Sequence, residues 1–170
     1  MSRNRIRPEA GWVDSRKLPR GPGGRALCRW CNTEVPKGRR SFCSDDCVHQ
    51  HKLRSDPGYL REQVFERDRG ICSRCGLDTE KMRRRLRRLP RRERLKEAAS
   101  LGVDATRSLW NADHFVPVVE GGGECDLANM RTMCIPCHKQ ATRNLMERRR
   151  RLDSHARPPD TSDAESDLKN

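Results

Sequence analysis

Three observations predict a small α+β fold closed by metal rather than by a large apolar core. Only 33% of the 170 residues are apolar and seven are aromatic, so few side chains can each bury a large area. Nine cysteines are present, eight of them in close pairs. Cap and turn signals cut the chain into short helices around one strand-like run, Trp110 to Val119. Ordering each residue costs about 1–2 kcal/mol of backbone entropy, so a chain this polar needs support beyond burial. The cysteines can supply it.

Their spacing sets the chemistry. Cys28-x-x-Cys31, Cys43-x-x-x-Cys47, Cys72-x-x-Cys75 and Cys134-x-x-Cys137 leave Cys125 over. Met1 to Lys17 is Arg-rich and has no apolar stretch of the kind a secretory signal needs. The longest apolar run, Phe115 to Val119, contains Pro117 and is far too short to span a bilayer. The expected setting is soluble and intracellular (cytoplasmic or nucleoid, nuclear in a eukaryote), with no membrane partner. There, close-spaced thiols are metal ligands rather than disulfides. Redox use of a C-x-x-C pair needs a βαβ context that the sequence lacks, and Cys125 reads as a packed or solvent-near thiol.

The elements follow in order. Residues 1–27 read as a flexible basic arm with the breaker Arg-Gly-Pro-Gly-Gly at 20–24, and 28–55 as an N-terminal four-cysteine module. Residues 56–152 form the main domain with a basic insertion at 79–109, and 153–170 a disordered acidic tail. Asp56 offers an N-cap with Pro57 at the first helical position, and Tyr59, Leu60, Val64 and Phe65 make an apolar stripe that stops at Gly70. Ile71 to Gly76 is a tight metal-binding turn, and residues 80–100 are one or two basic helices broken near Pro90. Trp110 to Val119 has strand character, with Pro117 marking an edge or an irregularity. Gly121-Gly122-Gly123 is a loop, and a last helix runs from about Pro136 to Leu152, its C-terminal arginines suiting the dipole.

Cys72, Cys75, Cys134 and Cys137 can surround one zinc tetrahedrally, because a two-residue spacer turns both sulfurs of a pair onto one ion. The 58 residues between the pairs must then be folded and held at both ends by the metal. A structural zinc is worth about 10–16 kcal/mol of apparent binding free energy, enough to offset a weak core. Cys28, Cys31, Cys43 and Cys47 form a second set, in which His49 or His51 can replace Cys47 as fourth ligand.

Between the two halves of the later set lies Trp110-Asn111-Ala112-Asp113-His114-Phe115-Val116-Pro117, followed by Asn129 and then Cys134-Ile135-Pro136-Cys137-His138. A lone histidine is usually structural. Here a carboxylate adjoins one histidine on a strand, and a second histidine opens the helix that the zinc would fix. A helix packed across a hairpin can bring Asp113 and His138 onto one ion, while His114, on the other side of the strand, faces a water.

Residues 72–143 resemble an HNH endonuclease domain of the ββα-metal type in this C-x-x-C … D-H … N … C-x-x-C-H pattern. Together with Phe42-Cys43-Ser44 and the helix at 57–69, residues 28–143 resemble the HNH region of eukaryotic replication-fork helicase/nucleases. The resemblance implies a ββα-metal core, to which this chain adds an N-terminal zinc knuckle and an Arg-rich helical insertion. It implies that His114 is the general base, that Asp113 and His138 hold the catalytic ion, and that Asn129 braces the motif loop. Cys72, Cys75, Cys134 and Cys137 match the structural zinc ligands. The Arg-rich insertion between Cys75 and Trp110 is this chain's departure from the family pattern. The implied reaction is hydrolysis of DNA to 5′-phosphate and 3′-hydroxyl ends. A carboxylate with waters suits Mg²⁺ or Mn²⁺, and an imidazole also suits Zn²⁺ or Ni²⁺; magnesium is favoured by availability.

The net charge of +13 divides into a −3 tail from Asp153 and a +16 body. Blocks at 1–27, 80–97 and 139–152 carry most of it, which a polyanion partner explains directly. Arg83, Arg84, Arg85, Arg87, Arg88, Arg91 and Arg92, with Arg148, Arg149, Arg150 and Arg151, are the candidate phosphate contacts, and double-stranded DNA is the expected partner. Two other classes use many of the same residues. A non-catalytic zinc-ribbon adaptor for nucleic acid has no need of Asp113, His114 and His138 together, and an RNA-directed nuclease differs in its substrate alone.

Overall fold

A computed structural model describes residues 11–123 and 126–156. The first ten residues of the expected arm, Cys125 and the tail from residue 157 lie outside the described residues. The α-helices and strands among the described residues are α1 (Asp45–Ser55), α2 (Pro57–Asp68), α3 (Thr79–Arg88), α4 (Arg91–Ser100), β1 (Trp110–His114), β2 (Met130–Cys134) and α5 (Ile135–Ala156). The strands form one antiparallel hairpin with Trp110 opposite Cys134, Asp113 opposite Arg131 and His114 opposite Met130. Helices α2 and α5 both pack on it.

The N-terminal module gathers Ala26, Cys28, Val35 and Cys47 into a small core, with Leu18, Trp30 and Phe42 against it. Leu18 and Ala26, from the segment expected to be a flexible arm, thus pack on this module. Backbone bridges pair Arg20 with Ala26 and Leu27 with Glu34, so the Gly-Pro-Gly-Gly breaker is the turn of a small loop folded onto the cysteines.

Helix α1 lies inside what the sequence suggests is only a zinc module. Ser44 Oγ accepts from Cys47 N at 3.1 Å, and Asp45 and Asp46 occupy the positive end of the dipole. Only Cys47 and Leu53 of the helix are buried, so no apolar stripe announces it. Asp56 ends α1 and begins α2. Its N–H donates to Lys52 O at 2.9 Å, and its Oδ1 accepts from Gly58 N at 2.9 Å and Tyr59 N at 3.1 Å. With Pro57 at N1 this is the expected α2 start. The helix stops one residue before Gly70, at Arg69, which takes the left-handed conformation with φ 55°.

Leu60 and Val64 of α2 join Leu53, Trp110 and Met130 in the central core. The C-terminal end of α2 also clamps β2. Asp68 Oδ2 accepts from Thr132 N at 2.8 Å, and Arg67 donates to Leu127 O and Met130 O at 2.7 and 2.6 Å. Burial resists ionisation of Asp68, but the Arg67 guanidinium and the Thr132 N–H outweigh it, and its pKa is lowered. The basic segment folds as the helix pair α3–α4, turned at Pro90 as expected and closed on Leu86, Ala98 and Leu109.

β1 is shorter than its sequence pattern. It ends at His114, and residues 115–123 form a loop with a 3-10 turn at Val118–Glu120. Pro117 has no N–H to offer a ladder, and a side chain, that of Asn129, takes over the backbone of Val116. α5 follows β2 without a break and extends to Ala156.

Candidate active site and metal centres

Alternation along β1 sorts its side chains between the two helices. Trp110 and Ala112 face the α2 core. Asn111 and Asp113 face α5, whose first turn carries His138. Asn111 Nδ2 lies 3.5 Å from His138 Nδ1, and Asp113 Oδ1 lies 3.6 Å from His138 Nε2. The other carboxylate oxygen, Oδ2, accepts from Arg131 Nε and Nη2 at 3.1 and 3.0 Å. Arg131 also lies 4.9 Å from the Phe115 ring centroid. His114 follows on the opposite side of the strand, and its Nε2 is buried without a hydrogen-bond partner among the described residues.

Asn129 holds the loop beyond β1. Its Nδ2 donates to Val116 O at 2.9 Å and Gly122 O at 2.6 Å, and its Oδ1 accepts from Val116 N at 2.9 Å. Gly122 permits this closure, since a Cβ there would lie 1.8 Å from Val116 O. Arg148 of α5 reaches the same loop, 2.9 Å from Glu120.

Two groups of four cysteines could each hold a metal ion. Within Cys28, Cys31, Cys43 and Cys47, and within Cys72, Cys75, Cys134 and Cys137, the sulfurs lie within 4.8 Å of one another. His49 and His51, the alternative ligands, point elsewhere: His49 Nδ1 is 2.8 Å from Tyr59 Oη, and His51 packs its ring on Phe42. Hydrogen bonds from Thr33 bring the Cys31 thiol down to about 6. Burial opposes ionisation of Cys72, but the backbone N–H groups of Cys134, Cys75 and Arg74 bring it to about 6. At Cys47 a Ser44 hydrogen bond favours the thiolate, yet the neighbouring Cys43 sulfur and burial push it up to about 12. Burial likewise pushes Cys134 up. Four sulfurs so close cannot all carry charge unless a cation shares them, which is the donor chemistry of a zinc site.

The candidate phosphate contacts differ in how they are paired. Arg83 and Arg85 of α3 are held by Glu80 and Glu97, and Arg148 by Glu120. Arg84, Arg87, Arg88, Arg91, Arg92, Arg149 and Arg150 are exposed and in no ion pair among the described residues. Two neighbours of the Asp113–His138 pair, Asn111 and Arg131, are not singled out by the sequence pattern. Only the hairpin register shows that Arg131 faces Asp113.

The family model described as HNH endonuclease matches residues 101–144. A curated relative, "DNA annealing helicase and endonuclease ZRANB3" of Mus musculus, is 34% identical over 142 residues, taking in 70% of this chain and 13% of the relative. The protein of the same name from Bos taurus is 35% identical over 115 residues, covering 59% and 11%. The chain thus spans a small part of the curated relatives it matches. Among solved structures, "Crystal structure of the human ZRANB3 HNH domain" is 30% identical over 59% of this chain and 97% of that one, with a TM-score of 0.47. No helix among the described residues is long and apolar enough to cross a membrane.

Proposed function

Because the chain belongs to the HNH endonuclease family, we propose that it is a metal-dependent endonuclease that hydrolyses phosphodiester bonds of double-stranded DNA. The observation that carries this reading is the 3.6 Å approach of Asp113 Oδ1 to His138 Nε2, with His114 the next residue on the strand. A carboxylate and an imidazole this close can share one divalent ion, and Mg²⁺ or Mn²⁺ fits a set completed by waters. When bound, such an ion polarises the phosphate and offsets charge on the leaving 3′ oxygen.

The chain's own residues do the rest. His114 takes a proton from water at Nε2 while the water oxygen attacks phosphorus, and the P–O3′ bond breaks, the departing 3′ oxygen taking a proton from solvent, to leave 5′-phosphate and 3′-hydroxyl ends. A buried imidazole nitrogen without a partner costs about 1–3 kcal/mol, and a base whose partner is the attacking water accounts for that cost. Imidazole is the side chain most often used as a general base. Arg131 fixes the Asp113 carboxylate from its other oxygen, and Asn129 holds the loop that follows the base. The two cysteine quartets would carry structural zinc, and the α3–α4 insertion with the end of α5 would meet the nucleic-acid backbone inside the cell.

Plasmid nicking by the zinc-loaded chain and by His114→Ala, across divalent metals, tests this reading. Loss of nicking in the mutant, with zinc content and DNA binding retained, is expected. Equal cleavage by both proteins would overturn the assignment of the base. Binding without cleavage by the wild type points to the adaptor reading, and preference for labelled RNA over DNA in competition points to an RNA substrate.

A further inference from the structure

A second basic site lies on the α2 side of the hairpin, away from the Asp113–His138 pair. A cavity of about 410 Å³ is lined by Arg61 of α2, Arg83 and Arg87 of α3, and Arg107 and Ser108 before β1, with Trp110 at its base. Glu80 is its one acidic wall residue, and it holds Arg83 at 2.8 Å. Arg107 is loosely paired with Asp104 at 3.4 Å and its side chain is 83% exposed. Arg87 is in no ion pair among the described residues. Positive charge is therefore in excess within the cavity.

Arg61 shows how the site is built. Its guanidinium lies 3.6 Å from the Trp110 ring centroid, and its Nη2 donates to Trp110 O at 2.8 Å and to Ser108 Oγ. Its Nε and Nη1 have no partner among the described residues, and every acceptor it does have is neutral. Burial disfavours its charge and no carboxylate compensates. An anion in the cavity would supply that compensation, since charge-assisted bonds to a guanidinium are strong and matched to phosphate geometry.

Trp110 is covered on the cavity side. Trp110 is 6% exposed. One partner of its ring is Arg61, and another is Phe65, stacked with centroids 5.9 Å apart and planes inclined by 24°. Trp110 therefore offers no open face for a base to stack on, and the charge of the surrounding arginines is what the cavity presents to a ligand.

We propose that the Arg61–Arg83–Arg87–Arg107 cavity is a phosphate-binding site, separate from the catalytic pair, that holds backbone phosphates of a nucleic acid without reading its bases. It rests on the nucleic-acid reading above and gives the insertion a specific role. The α3–α4 pair, packed on Leu109, places Arg83 and Arg87 across from Arg61 and so completes a site that α2 alone could not form.

The test uses the full zinc-loaded chain and the indole N–H signals of its three tryptophans, Trp12, Trp30 and Trp110. The probes are a short phosphodiester duplex, the same duplex with uncharged methylphosphonate linkages, and inorganic pyrophosphate. The phosphodiester duplex should shift the Trp110 signal, and the methylphosphonate duplex should not. Arg87→Gln with Arg107→Gln should remove the shift and lessen the salt dependence of duplex binding by about one to two phosphate equivalents. Arg61 is left in place because it also holds Trp110 O. Duplex binding that shifts other backbone signals but not Trp110 overturns this site and leaves the nucleic-acid reading standing. Absence of any duplex binding overturns both. A Trp110 response to pyrophosphate but not to the duplex makes this a free-phosphate site and overturns the backbone assignment.

Discussion

Arg131 sits directly across the hairpin from Asp113 and binds the carboxylate oxygen that His138 does not approach. A fixed positive charge next to a proposed cation ligand has two opposed effects. It orients the carboxylate, and it repels the ion. At an effective dielectric of about 20, like charges some 5 Å apart repel by about 3 kcal/mol. With the lost orientation set against this repulsion, Arg131→Gln should still bind Mn²⁺ at least about tenfold more tightly in a calorimetric titration of the zinc-loaded chain, yet nick plasmid more slowly because Asp113 is less well held. Weaker Mn²⁺ binding in the variant would show that orientation outweighs repulsion.

The two quartets should fail independently. Cys134 ends β2, and Cys137 lies in the first turn of α5 one residue before His138. Cys134→Ser should lower zinc content from two ions per chain to one, release His138 from Asp113 and abolish nicking. Cys31→Ser should lose one zinc as well and loosen the N-terminal module, leaving hairpin amides protected from hydrogen exchange. Elemental analysis with exchange mass spectrometry measures both.

Asn129 makes three hydrogen bonds to the loop beyond His114. At about 1 kcal/mol for each bond lost, with a further cost for groups left unpaired, Asn129→Ala should destabilise by about 2–4 kcal/mol in urea and speed exchange of the Val116 amide. Gly122→Ala should do more damage than its size suggests, because the added methyl meets the Val116 carbonyl.

Asp68 links α2 to β2 through the Thr132 N–H. Its folded pKa is lowered, so its contribution is present above the unfolded carboxylate value of about 3.9 and disappears as pH falls through the folded value. Asp68→Asn should cost about 1–3 kcal/mol at pH 7, and the gap between variant and wild type should close below pH ~4. A gap that persists in acid would show that the contact does not depend on charge.

Local chemistry was legible in the sequence, and pairings across the chain were not. The cysteine pairs, the Asp56-Pro57 start of α2 and the Pro90 break depend on neighbours two or three residues apart, and the structure has all of them. Helix α1 carried a cap signal, Ser44-Asp45-Asp46, but buries too few side chains to show a periodic stripe. The end of β1 at His114 depends on Asn129, which takes the Val116 backbone from thirteen residues further along, after the loop has closed. Arg131 and Arg61 are ordinary arginines in the sequence. Hairpin register gives the first its carboxylate, and the fold of the insertion gives the second its cavity.

Asp56 joins the two halves that carry the cysteine quartets with no slack. One residue finishes α1 and starts α2, and on either side of it His49 meets Tyr59 and Leu53 meets Leu60. A joint this short transmits torque rather than absorbing it. A twist applied to the N-terminal module, for instance by a strand pulled across it, would reach the hairpin through α2 as a rotation of the whole, and the angle between the halves would be inherited rather than chosen at each encounter.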